Sequence, residues 1–104
     1  MMQDEVIAFI EEATRDHLDC VNLHGITPRR TLVTPQKRKY WVGIEEKTLW
    51  DFWLVLEEDP IAHTGYMILF DEEEQDFGLA VRSNEEQDYY IGSYGDFITT
   101  FLAM

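Results

Sequence analysis

In the stretch LWDFWLVLEED, residues 49–59, apolar side chains fall on both faces of an extended pleat: Trp50, Phe52, Leu54 and Leu56 on one, Leu49, Trp53 and Val55 on the other. A strand with one wet face alternates apolar with polar residues. A strand apolar front and back is central and covered on both sides. Whatever this chain folds into must therefore supply a layer above and a layer below residues 49–56.

The candidates for those layers lie at the two ends. Residues 3–18 read as a helix, because Val6, Ile10 and Ala13 recur at spacings of four and three with Ile7 and Leu18 beside them. Asp4 and Glu5 sit in its first turn, where the helix dipole favours negative charge. After the break at Gly95 and Asp96, a short closing helix carries Ile98, Phe101 and Leu102. Between the helices the pattern alternates. Val21 and Leu23 before Gly25 suggest a first strand, and ITPRR is a turn, since Pro28 forces Thr27 out of helical geometry. TLV and KYWVGI flank TPQKR as a hairpin turning at Pro35; GYMILF, FGLAVR and DYYIGSY follow the central strand. The expectation is one α+β domain spanning residues 1–104: an N-terminal helix, a mostly antiparallel sheet of about six or seven strands, and a short C-terminal helix.

Helices of about sixteen and about eight residues measure roughly 24 Å and 12 Å, enough for one sheet face and hardly for two. The second face, with Trp53 and Val55, is expected to stay partly open. An uncovered apolar stripe of that kind is costly unless a protein partner or a second copy covers it, so a protein-binding or self-associating sheet face is expected.

Charge narrows the partner. The chain holds 8 basic and 21 acidic residues, a formal net charge of −13, which excludes free DNA, RNA or anionic lipid as the main partner. The charges are segregated. Arg29, Arg30, Lys37, Arg38 and Lys39 lie in residues 29–44 with no acid among them, next to Tyr40 and Trp41. That basic segment reads as a solvated turn that relieves the acidic body, or as a contact for an acidic region such as another copy's DEEEQD run. In that run Asp71, Glu73 and Gln75 match the spacing of a calcium loop, but Asp76 and Arg82 stand where such a loop needs glycine and a bidentate glutamate. It reads as a solvated hairpin tip; the alternatives are weak divalent binding and docking on a cationic partner. The lone Cys20 makes no internal disulfide, no apolar run reaches the length of a membrane span, and the start MMQDEVIAF has acid where a signal peptide carries positive charge. The expected location is the cytoplasm.

Catalytic and metal chemistry find little support. His17, Cys20 and His24 lie within eight residues, yet their spacing straddles an expected helix-to-strand break and lacks the tight ligand pairs of structural zinc. Nothing near Cys20 supplies an oxyanion site for a thiolate nucleophile. The carboxylates Glu45 with Glu46, Glu57 with Glu58 and Asp59, and Glu85 with Glu86 read as strand ends and turns. No glycine run forms a phosphate loop, and His63, in the turn PIAHTG, is expected to face solvent. No metal and no cofactor is expected.

The closing segment SYGDFITTFLAM resembles the end of SMI1/KNR4-type immunity domains, in which an aromatic strand runs through an acidic cap into a short helix bearing Phe and Leu. The resemblance implies an immunity or inhibitor protein that covers a toxin's active surface.

The functional expectation is a small, acidic, non-enzymatic bacterial interaction domain that binds a protein partner, or pairs as a homodimer, through Trp53, Val55, Tyr40, Trp41, Glu72, Glu73 and Glu74. A basic toxin is the most concrete such partner. The alternative is a small-molecule binder or minor enzyme whose pocket is lined by Tyr40, Trp41, Trp50, Trp53 and Tyr90.

Overall fold

The computed structural model describes all 104 residues as α+β. Helix α1 (Gln3–Thr14) opens it, its buried Val6, Ile10 and Thr14 forming one stripe at spacing four. Glu5 accepts a hydrogen bond from the Met2 backbone N–H at 2.9 Å and closes the first turn. The helix stops four residues short of the expected end; the Thr14 hydroxyl donates back to the Ile10 carbonyl at 2.8 Å and the chain leaves in turns.

The strand expected at Val21 and Leu23 does not form. Asn22, buried between them, accepts from the His24 backbone N–H at 2.9 Å and donates through Nδ2 to the Phe101 carbonyl at 3.2 Å, so its side chain organises a turn and pins it to the far end of the chain. Val21 and Leu23 point into solvent. A one-turn helix, α2 (Pro28–Thr31), with Pro at its start, leads into β1 (Leu32–Val42). Pro35 does not turn a hairpin either. It lies in a bulge, where the register jumps from Leu32 opposite Leu56 to Gln36 opposite Leu54, and its carbonyl accepts from Gln3 Nε2 at 2.8 Å. TLV and KYWV are thus one strand.

The remaining strands are β2 (Thr48–Asp59), β3 (Thr64–Asp71), β4 (Asp76–Val81) and β5 (Tyr89–Gly95), followed by α3 (Phe97–Leu102), whose N-cap Asp96 accepts from the Thr99 N–H at 2.9 Å. The sheet has five strands rather than six or seven. Successive strands pair antiparallel, and β5 returns to β1 in a parallel bridge at Trp41 and Tyr89, closing the sheet into a barrel. No helix is long and apolar enough to cross a membrane.

Closure overturns the expectation of an open sheet face. Tyr40, Phe52, Leu54, Met67, Leu69 and Ala80 fill the barrel interior, while Trp53, Val55, Ile68, Phe70, Phe77 and Leu79 form the outer face beneath α1 and α3. Phe9 of α1 meets Phe70 at 4.8 Å between ring centroids, and Phe97 of α3 meets Phe77 edge-on at 5.6 Å. Two helices suffice because they have only one face to cover; the sheet covers the other by curling on itself. Trp53 is 6% exposed and Val55 0%. The stripe expected to await a partner is the main core.

Candidate functional site

With Trp53 and Val55 buried, the exposed apolar surface of β2 moves to its N-terminal part, where Trp50 is 53% exposed and Leu49 40%. Strand β2 runs past the end of β3 there: its ladder with β3 begins at Trp53 opposite Phe70, while its ladder with β1 continues out to Thr48 opposite Val42. Between the overhanging residues 49–52 and the turn that joins β3 to β4 lies a groove of about 490 Å³, lined also by Lys37, Asp71, Glu72, Glu73 and Glu74. The Trp50 ring stacks on Phe52 at 6.4 Å and Phe52 on Tyr90 at 4.4 Å, so a row of rings runs from the groove into the barrel.

The acids of the groove have separate tasks. Glu72 is the anchor of its floor: it accepts from Lys37 Nζ at 2.7 Å, from Trp53 Nε1 at 3.3 Å and from the amino group of Met1. Hydrogen bonds from Lys37 and the amino group hold its carboxyl down at about 2, against a smaller opposing effect of burial. Asp71 shapes the turn, its carboxylate accepting from the Glu73 and Glu74 backbone N–H groups at 3.0 and 3.4 Å. Asp51 pairs with Lys39 at 3.2 Å. Glu73 and Glu74 are exposed and enter no ion pair, which leaves the rim with uncompensated negative charge. Lys37, Lys39 and the Met1 amino group face five carboxylates here, Asp51, Asp71, Glu72, Glu73 and Glu74.

No family model matches the chain, and no curated protein or solved structure is significantly similar to it.

Of the residues expected at a partner site, the structure gathers Glu72, Glu73 and Glu74 at this groove, with Trp53 beneath them as a buried support. Val55 lies in the core, and Tyr40 is inside the barrel at 1% exposure. Trp41 sits at the barrel closure, opposite Leu49 and Tyr89, with Lys47 Nζ 6.0 Å from its ring. The five aromatics of the alternative pocket do not line one cavity: Tyr40 and Tyr90 belong to the interior cluster and Trp53 to the outer one. His24 turns to Glu58, its Nδ1 3.0 Å from the carboxylate, and no three His, Cys, Asp or Glu side chains converge as a metal cage requires. The basic segment is not a turn. Lys37, Arg38 and Lys39 lie along β1, and Arg29, Lys37 and Lys39 each meet a carboxylate of this same chain, Asp19, Glu72 and Asp51.

A second polar cluster was not legible as a unit. Glu57, expected at a strand end, is 3% exposed and accepts from Arg82 Nη2 at 2.8 Å and from His63 Nδ1 at 3.1 Å. Burial works to raise its pKa, but the hydrogen bonds and charges of Arg82 and His63 win and hold it below the ordinary value. His63 is mostly solvent-facing while making this bond. Arg82 also approaches Asp88 at 3.7 Å, and burial pushes the nearby Tyr40 phenol up to about 12. This cluster joins β2, the β2–β3 turn and the end of β4; Glu57 is bonded to Arg82 and His63, while Arg82 Nε and the Tyr40 hydroxyl are buried without a hydrogen-bond partner.

Proposed function

We propose that this chain is a non-enzymatic interaction domain that binds a cationic protein partner at the groove between residues 49–52 of β2 and the acidic β3–β4 turn. The observation that carries the reading is the meeting of an exposed indole, Trp50, with the unpaired carboxylates Glu73 and Glu74 in one concave place. Trp is the side chain most enriched among binding hot spots, because it offers large apolar area with few rotors, and its face also attracts cations. A surrounding charge of −13 steers a basic partner to the surface, raises its association rate, and makes affinity fall with salt. Inhibition of a basic toxin, the role implied by the resemblance of the closing segment to immunity domains, is the most concrete form of this function.

The test is a titration of isotope-labelled protein with polylysine, followed by amide chemical shifts. Shifts centred on residues 49–52 and 71–74, lost between low and high salt, are expected. Glu73→Gln with Glu74→Gln should weaken binding severalfold, whereas Glu45→Gln with Glu46→Gln, the same loss of charge at the β1–β2 turn, should leave it nearly unchanged. Equal effects of the two double variants would reduce the binding to general attraction by an acidic body and remove the groove from the account.

A further inference from the structure

We infer that the partner segment enters this groove as an extended strand and pairs with the free edge of β2 at residues 48–52. The inference rests on the groove being the docking site and adds the manner of recognition. Over these five residues β2 has a ladder on its β1 side only, because β3 begins to pair at Trp53. In an antiparallel ladder alternate residues turn their N–H and C=O groups to the opposite side, so the accessible part of this stretch, up to the buried Phe52, presents unpaired main-chain groups along roughly 14 Å, beside the groove. Residues 48–51 are all exposed. Such an edge is a template for another strand unless something blunts it.

The charge beside the edge selects the occupant. A second copy of this chain would bring its own Asp51, Glu73 and Glu74 against the same residues, and like charges facing each other across a ladder are destabilising. A segment with lysine or arginine at alternate positions meets the opposite situation. One set of its side chains faces Glu73 and Glu74 across the groove, and a lysine or arginine that reaches Trp50 gains contact with the indole face. Main-chain hydrogen bonds then supply affinity and the alternate side chains supply specificity, the division of labour of strand-addition complexes. The edge and the acids act together: the acids repel copies of the chain and admit a basic strand.

The test uses an acetylated and amidated heptapeptide alternating lysine with valine, and two versions of it N-methylated at alternate residues in one phase or the other. N-methylation leaves the charge intact and removes hydrogen-bond donors from one edge of the peptide. The parent peptide should bind and slow amide hydrogen exchange at alternate residues within 48–52. One methylated version should bind on the order of tenfold more weakly, having lost the donors that face β2, and the other should bind like the parent. If both methylated versions match the parent, strand pairing is refuted while the groove remains a cationic site. If the parent fails to bind at all, the groove reading falls with it. Should sedimentation show the chain dimerising, with slowed exchange at residues 48–52 in the absence of peptide, the edge is occupied by a second copy and the inference is overturned.

Discussion

Removing the Arg82 guanidinium tests the claim that a buried ion pair, and not apolar packing alone, fixes the end of the barrel. In Arg82→Met the Glu57 carboxylate, 4% exposed as a side chain, loses the 2.8 Å hydrogen bond from Nη2 and keeps only His63, itself largely in water. Breaking a buried pair by deleting one partner costs about 3 to 5 kcal/mol. The surviving His63 contact places this case near the lower end, at about 3 kcal/mol, or on the order of 12 °C in Tm for a domain of this size. The pH dependence carries a sign. In the native protein the folded-state pKa of Glu57 is lowered, so the group contributes stability that is present above its unfolded value near 4.5 and lost as pH falls. Without Arg82, burial prevails and raises the folded-state pKa above 4.5. The contribution is then present below the unfolded value and lost as pH rises. The gap between the two proteins must therefore widen from pH 4.5 to pH 7.5. Urea denaturation followed by tryptophan fluorescence at both pH values measures it, urea leaving the charges unscreened. Glu57→Gln added to Arg82→Met should recover part of the loss at pH 7.5, because no charge remains to be buried. A gap below about 1 kcal/mol at pH 7.5, or one that does not shrink in acid, would refute the reasoning.

The two tryptophans of β2 should behave oppositely in the same denaturation experiment. Trp53→Ala empties a site 6% exposed and should cost about 3 to 5 kcal/mol, whereas Trp50→Ala, at 53% exposure, should cost under about 1.5 kcal/mol while abolishing most of the peptide affinity; similar losses would contradict the barrel closure. A methyl group at Gly78 would stand 2.4 Å from the Tyr90 hydroxyl oxygen and 2.5 Å from the Gly92 carbonyl oxygen, so Gly78→Ala should cost about 1 to 3 kcal/mol. Tyr90→Phe should relieve only part of that cost, since the Tyr90 ring carbon Cε1 and the Gly92 carbonyl oxygen, each 2.5 Å away, both remain; full rescue would place the crowding wholly in the Tyr90 hydroxyl.

Local pattern gave the elements their type where chemistry and period agreed, and misled where a single polar residue overrode the period. Val6 and Ile10 fall on the buried stripe of α1 as their spacing predicts, and the runs from Thr48 to Gly95 form strands as expected. Val21 and Leu23 alternate as a strand would, but Asn22 between them is a better hydrogen-bonding centre for a turn than a pleat position, and a buried amide bonded to the Phe101 carbonyl has no counterpart in local sequence. Pro35 is a turn signal in most contexts, and here a bulge in β1 absorbs it. The largest difference between pattern and structure is in coverage. Measuring helix length against two sheet faces presumed an open sheet, and a sheet that closes supplies its own second layer without adding a residue to the sequence.

The same bulge logic puts the buried ion pair beyond the reach of local pattern. The register of β2 against β3 slips between Leu54 and Leu56, so Val55 and Leu56 both join the outer cluster and the next residue, Glu57, stands opposite Met67 of the barrel interior. Strict alternation cannot place Glu57 there; only the slip can, and the slip is a property of the pair of strands. One trace of it did exist in composition. After Lys47 the chain carries a single further basic residue, Arg82, among thirteen acids from Asp51 onward. A lone guanidinium in so acidic a stretch, set at the end of an apolar strand, is most stabilised where one carboxylate has been taken out of water, and an acid that directly follows an unbroken apolar run, as Glu57 follows Leu56, is the one most exposed to that fate. The groove is visible by the complementary reasoning. Trp50 lies on the interior side of β2 by parity but beyond the last residue that β3 covers, so its exposure is set by where the neighbouring strand begins, and the place where a ladder stops short is also the place where another strand can start.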